Sequence, residues 1–266
     1  MSPIIRRLGS ALALFGVEPR RTWRALRGLR PFLGNRAVLR SQFEASAAKE
    51  FPFGKLYPCL TDRFESSGVA SGHYFHQDLL VAQWIFENNP KRHCDVGSRV
   101  DGFVAHVATF REVEVFDIRA LRTSSRNIRF RRCDLMDGRT VADVRTDSLS
   151  CLHTLEHLGL GRYGDPVDYD GWRKGWDTLH AMLEPGGRLY FSVPMGKQRI
   201  EFDAHRVFGV GFMTERMFAG RYEVERFAYV DDSGELHTGQ DPRGEGAGRD
   251  FGCVWGCAIF QLRKIA

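Results

Sequence analysis

Apolar positions change their period along this chain, and the changes mark its organisation. Ile4, Ile5, Leu8, Leu12 and Phe15, then Trp23, Leu26, Leu29 and Leu33, recur at three- to four-residue spacing and predict amphipathic helices over residues 1–50. Pro52, Gly54, Pro58, Gly68 and Gly72 break the pattern and predict a linker. From His73 onward helical and alternating runs take turns. Helices are predicted at His73–Glu87, stopped by Asn88-Asn89-Pro90, at Val100–Phe110 and at Trp172–Leu183, stopped by Pro185-Gly186-Gly187. Strands are predicted at His93–Val96, Glu112–Phe116, Ile128–Arg132, Ser148–His153 and Arg188–Val193. Tyr222–Val230 and Cys253–Leu262 form a late strand pair around a glycine-rich loop, Asp231–Asp250. This alternation predicts an α/β fold: a doubly wound, mostly parallel, seven-stranded sheet over residues 73–266, with an antiparallel edge strand. Residues 1–72 are expected to form a basic helical extension and linker.

Charge sharpens the division. The net charge of +5 hides nine arginines (Arg6, Arg7, Arg20, Arg21, Arg24, Arg27, Arg30, Arg36 and Arg40) against one acid, Glu18, in residues 1–40. That segment carries +8 and the rest of the chain −3, so the body gives no reason to expect a nucleic-acid partner. An arginine-rich amphipathic helix suits either an anionic membrane surface or a packing partner. The six cysteines, Cys59, Cys94, Cys133, Cys151, Cys253 and Cys257, include no C-x-x-C pair and fall mostly in apolar runs. This points to core cysteines in a reducing, cytoplasmic compartment, with a peripheral position at the inner membrane face as an extension of that reading. No apolar run approaches the ~18 residues of a membrane span.

Candidate chemistry lies at the carboxyl ends of the predicted strands, where open α/β sheets bind ligands. Asp95-Val96-Gly97 ends the first, and Gly97 lets the backbone turn sharply toward a ligand. Asp117 ends the second, about 20 residues on, the distance at which an acid meets ribose hydroxyls. Asp134 follows the third and suits an adenine amino group; His153 ends the fourth, beside the place for a transferable group.

These residues, with Leu152-His-Thr-Leu-Glu-His157 and Leu183-Glu-Pro-Gly-Gly187, resemble class I S-adenosylmethionine-dependent methyltransferases over about residues 74–262. More closely, the runs DVGSRVDGF and EHLGLGRYGD and the segment around Phe202–Phe208 resemble the uncharacterised, methyltransferase-like domain of unknown function 268. The resemblance implies a Rossmann-like methyltransferase fold, S-adenosyl-L-methionine as cofactor, and an association with surface polysaccharide synthesis. The chain departs from the family's glycine-rich turn. Arg99 and Asp101 stand where glycines are usual, and Gly102 comes one position late. Arg99 would then meet the cofactor's carboxylate.

On the acceptor side, the loops Gly159–Gly171 and Met195–Gly211 should roof the cleft. Arg162, Tyr163, Asp165, His205 and Arg206 suit a polyhydroxylated acceptor, a small molecule or a glycan precursor. An oxygen acceptor needs a base, for which the candidates are His157, His205 and His153 in that order. Each has a plainer reading as a structural histidine bonding a loop carbonyl. No metal is expected: His153-x-x-Glu156-His157 spells the inverted zinc-hydrolase motif, but His153 ends a strand, whereas two such ligands belong one turn apart on a helix. A dinucleotide dehydrogenase is disfavoured because Gly97 to Gly102 does not form G-x-G-x-x-G, and a P-loop lacks its Gly-Lys-Ser/Thr ending. The expected function is O-methylation of a sugar or glycan precursor. The rival is a non-catalytic binding or scaffold protein on the same fold.

Overall fold

A computed structural model describes residues 13–265. Ile4, Ile5, Leu8 and Leu12, part of the first helical pattern, lie outside the described residues. The chain divides into two compact units that part between Val69 and Ala70.

The first unit is built on one long helix, α1 (Pro19–Ala45). Proline opens it at a position where its missing N–H is no loss. Pro31 lies inside it, and Gly28 is its buried residue. A Cβ on Gly28 would run into the Leu60 carbonyl, so that glycine is required for the chain to pass there. Trp23, Leu26, Leu29 and Leu33 are exposed. Among the described residues no helix is long and apolar enough to cross a membrane.

The second unit is an α/β layer structure. Its strands are β1 (His93–Val96), β2 (Val113–Asp117), β3 (Ile128–Arg132), β4 (Thr146–Leu152), β5 (Leu183–Met195), β6 (Arg199–Glu201), β7 (His205–Val207), β8 (Tyr222–Val230), β9 (Leu236–Thr238) and β10 (Gly256–Lys264). The main sheet runs β3-β2-β1-β4-β5-β10-β8-β9. The first five strands are parallel, β10 is antiparallel to both β5 and β8, and β9 closes the edge antiparallel to β8. This is the doubly wound, mostly parallel α/β sheet that the alternation predicted. It carries one strand more than expected, because the glycine-rich loop after β8 turns back as β9. A separate two-stranded hairpin, β6-β7, rises from the loop after β5.

Period-two alternation feeds two cores. Phe116, Cys151, Phe191 and Phe260 face one side of the sheet, and their chain neighbours Val115, Leu152, Tyr190 and Ile259 face the other. Helix α2 (His73–Asn88) covers the second side with Val81 and Ile85. It is joined there by a π-helical turn, Val100–Val104, which continues into the short α3 (Ala105–Ala108). Helix α4 (Gly171–Met182) covers the first side through Trp176 and Leu179, with α5 (Val210–Phe212) and its π-helical continuation Met213–Met217 beside it. Five of the six cysteines are buried and all are free thiols. The Pro185-Gly186-Gly187 stop lies within β5, as an irregularity between the pairings Thr146↔Leu183 and Ser148↔Arg188.

Candidate functional site

Every parallel strand ends on the same rim, and the polar strand-end residues collect there. Gly97 leaves β1 with φ +70° while its N–H bonds the Phe116 carbonyl at 2.8 Å. A Cβ at that position would lie 2.5 Å from the Thr154 methyl, so the turn demands glycine twice over. The π-helical turn follows directly, with Val104 N–H reaching back five residues to the Arg99 carbonyl at 3.2 Å. A π turn accommodates one residue more than an α turn. It thereby gives the late Gly102 a physical role. A Cβ on Gly102 would collide with the Asp78 carboxylate of α2. The glycine is placed for helix packing after the extra residue.

A cleft of about 490 Å³ opens at this rim, lined by Tyr74, Gly97, Ser98, Arg99, Asp117, Arg119, His153, His157 and Tyr163 among others. An apolar chamber continues inward between Phe116, Ile118, Cys133, Leu135 and Leu158, with Asp134 on its wall. Gly97, Asp117, Arg119, His153, His157 and Tyr163 border both spaces. The volume is in the usual range for small-molecule sites.

The expected cofactor residues differ in what remains free. Asp95 is fully buried and its carboxylate is spent internally. It accepts the Ser98 hydroxyl at 2.6 Å, the Ser150 hydroxyl at 2.5 Å and the Ser98 N–H at 3.1 Å. Burial raises its pKa to about 6 against those hydrogen bonds. Asp95 thus shapes the turn and does not line the cleft. Asp117 does line it, but Arg119 grips both its oxygens, Nε at 3.0 Å and Nη2 at 2.8 Å. The same guanidinium lies 4.6 Å over the Tyr163 ring, bridging to the loop after β4. Asp134 accepts the Met136 N–H through Oδ1 at 2.9 Å. Arg99 pairs loosely with exposed Asp101 at 3.3 Å and lies 4.9 Å over Tyr74, leaving the cleft open.

The three histidines separate by geometry. His153 sits beyond β4 with φ +50°, an uncommon conformation for a non-glycine residue. Its Nδ1 meets Glu156 Oε1 at 2.8 Å and its Nε2 meets Cys257 Sγ at 3.3 Å. Burial depresses its pKa, yet Cys257 and Glu156 more than reverse this and hold it well above the ordinary value. A histidine held protonated cannot take up a proton. His157, in a short 3-10 turn (Leu155–His157), donates from Nδ1 to the Ala204 carbonyl at 2.7 Å. A carbonyl only accepts, so Nε2 carries the lone pair. Burial lowers the His157 pKa, which keeps that nitrogen free at neutral pH. Glu156 Oε1 stands 3.7 Å from it, and Glu156 Oε2 is buried with no hydrogen-bond partner. His205 lies beside the cleft and does not line it. Its Nε2 accepts the Trp255 indole N–H at 3.1 Å.

Among the expected acceptor residues, Tyr163 alone lines both spaces as an exposed ring. Asp165 touches the inner chamber, but its carboxylate gathers the N–H groups of Gly159, Gly161 and Tyr163. Arg206 is buried and donates to the carbonyls of Leu158 at 2.6 Å, Tyr169 at 3.1 Å and Glu156 at 3.3 Å. Arg162 donates to the Ala204 carbonyl at 2.9 Å. Asp165 and Arg206 thus serve loop backbone groups, which need partners when buried; Arg162 is exposed, and its acceptor role stays an expectation. In the run His153-x-x-Glu156-His157 both histidines face one carboxylate oxygen, Glu156 Oε1, at 2.8 and 3.7 Å. Arg119, Thr154 and Cys257 were not expected at the site. Arg119, two residues past Asp117, and Thr154, next to His153, were within reach of the sequence; Cys257 was not.

A family model described as Caenorhabditis protein of unknown function, DUF268, matches residues 131–238. No curated protein matches the chain. Among solved structures, the chain is similar to the N-methyltransferase NodS from Bradyrhizobium japonicum WM9 in complex with S-adenosyl-L-homocysteine. The identity is 15%, with 73% of this chain and 88% of that one covered, at a TM-score of 0.48. It is also similar to an S-adenosylmethionine-dependent methyltransferase from Clostridium acetobutylicum (11%, 74% and 94% covered, TM-score 0.49). A third is the 1,6-didemethyltoxoflavin-N1-methyltransferase of Burkholderia thailandensis (15%, 71% and 79% covered, TM-score 0.47).

Proposed function

We propose that the chain is an S-adenosyl-L-methionine-dependent methyltransferase whose acceptor atom is an oxygen of a sugar or glycan precursor. The observation that carries this reading is the two-part cleft at the sheet's carboxyl rim. It joins an apolar slot to an acid, a glycine turn and a free imidazole nitrogen. The residues fit the cofactor's chemistry. Ile118 and Leu135 flank a slot for the adenine, Asp134 lies on its edge, Asp117 suits the ribose diol, and Arg99 suits the amino-acid carboxylate. When bound, the cofactor supplies an electrophilic methyl group on a sulfonium.

The protein's part is alignment and proton removal. Alignment is worth several kcal/mol of barrier, on the order of the effects known for oriented reactants. His157 Nε2 accepts the acceptor hydroxyl's proton, and Glu156 beside it stabilises the imidazolium that forms. His153, already protonated between Cys257 and Glu156, orients that glutamate. His205 remains a neighbour of the base.

A non-catalytic relative of the same fold is favoured by one observation, the closure of Asp117 by Arg119. Titration calorimetry with S-adenosyl-L-homocysteine separates the two. Heat of binding that is lost in Asp117→Ala supports the enzyme reading, with His157→Gln then expected to bind cofactor normally and to lose turnover. No heat at millimolar ligand leaves the scaffold reading.

A further inference from the structure

We propose that α1 is an interfacial helix that seats this protein on an anionic lipid surface. The inference is independent of the methyl-transfer reading. Helix α1 carries seven arginines, Arg20, Arg21, Arg24, Arg27, Arg30, Arg36 and Arg40, against one acid, Glu44. Within the first unit, Gly28 fixes which side of the helix is covered, because it lies against the Leu60 carbonyl. Trp23, Leu26, Leu29 and Leu33 recur at three- and four-residue steps on a different side and are all exposed, between 43% and 66%. Leu14 and Phe15, just before the helix, are exposed further, at 84% and 85%. By helical phase Arg30 falls within the arc of the stripe, and Arg27 and Arg20 flank it on the Trp23 side.

The combination selects the partner. Arginines alone would suit the phosphates of nucleic acid, but that partner has no use for a row of leucines and an indole. A second protein surface would use the apolar stripe, but seven like charges would oppose pairing two copies of the helix. A membrane interface uses both. The acyl boundary takes Trp23 and the leucines while anionic headgroups meet the guanidinium groups. Proline at position 31 does not prevent this, since Trp23, Leu26 and Leu29 lie before it and the helix continues through it to Leu33.

The test is sedimentation of the full-length protein with phosphatidylcholine vesicles, with and without phosphatidylglycerol. Binding is expected only to the anionic vesicles and should weaken with salt. Arg27→Gln with Arg30→Gln should lower the affinity about thirtyfold. Trp23→Phe should abolish the part of the indole quenching by brominated lipid that comes from α1. Far-UV circular dichroism of each variant confirms that the helix is intact. Absence of binding to anionic vesicles overturns the proposal. So does equal binding by the double arginine variant, and so does unchanged quenching in Trp23→Phe. Binding to duplex DNA as tight as to vesicles would reassign the surface to nucleic acid, and a dimer dissolved by Leu26→Ser would reassign it to self-association.

Discussion

Arg119 competes with a ribose for Asp117, since it already occupies both carboxylate oxygens. The pair is bidentate, yet the guanidinium is more than half exposed, so its contribution is at most about 1 kcal/mol. A diol that replaces it therefore faces a modest barrier. Arg119→Gln should bind S-adenosyl-L-homocysteine about three- to fivefold more tightly by calorimetry. Weaker binding would mean that Arg119 holds the ligand itself, and the competition argument would fail. Asp95 makes a different prediction, of stability. An unfolded aspartate ionises near pH 3.8, while in the folded chain burial moves Asp95 to about 6. The native state thus holds the extra proton between those values. The stabilisation from this is complete below about pH 3.8 and lost as pH rises through about 6. By pH 7 the ionised carboxylate leaves the fold about 3 kcal/mol worse off than a neutral group would. In urea unfolding, Asp95→Asn should gain on the parent by that order between pH 4 and pH 7. His93, which also bonds Ser150, slopes the other way: burial holds its pKa at about 3, so its contribution fades as pH falls from 6.5. It is present in both proteins and cancels in the difference. Parallel pH profiles would sink the assignment.

At the scale of elements, the turn after β1 shows how a departure from a familiar pattern is absorbed. The extra residue before Gly102 becomes a π-helical turn, and the glycine then meets Asp78 of α2. Gly102→Ala should destabilise the protein by about 1–3 kcal/mol in chemical unfolding, as overpacked sites do. Gly211→Ala, whose nearest neighbour would be 3.9 Å away, should change it little. An unaffected Gly102→Ala would show that α2 and the turn do not pack as described. This turn also marks the limit of sequence reasoning. The strands were legible because period-two runs such as His93–Val96 and Ile128–Arg132 end abruptly at polar or glycine residues. Asp117, Asp134 and His153 were legible as strand-end residues by the same rule, and His157 only through the family resemblance of the run Leu152–His157. The roles of Asp95, Asp165 and Arg206 were not, because their partners are backbone N–H and carbonyl groups that every residue carries. Cys257 contacts His153 across 104 positions, and no local pattern announces such a meeting.

For the α/β unit as a whole, the loops over the cleft act as one piece because Arg206 ties them, with Arg162 adding a bond to Ala204. Arg206, on β7, binds carbonyls at Glu156, Leu158 and Tyr169, joining the β6-β7 hairpin to the whole segment between β4 and α4. Burial lowers the guanidinium's pKa, and the carbonyl dipoles around it are what make a buried charge tolerable there. Arg206→Met would keep much of the volume and leave three carbonyls without their donor. Each such loss is worth about 1–3 kcal/mol if the group remains buried, so the segment should open locally to recover water instead. Hydrogen exchange should then show lost protection at Gly159 and Asp168, whose N–H groups now bond Asp165 and the Gly159 carbonyl, while β4, β5 and β10 stay protected. His157 would loosen with them, since its Nδ1 is held by Ala204 on the same hairpin. On the proposed methyl-transfer reading the variant should lose acceptor turnover and, because Leu158 and Asp165 of the loosened segment wall the inner chamber, should also bind S-adenosyl-L-homocysteine less tightly. Uniform loss of protection across the sheet would instead make Arg206 a determinant of the core, and the loops would then have no separate stability to lose.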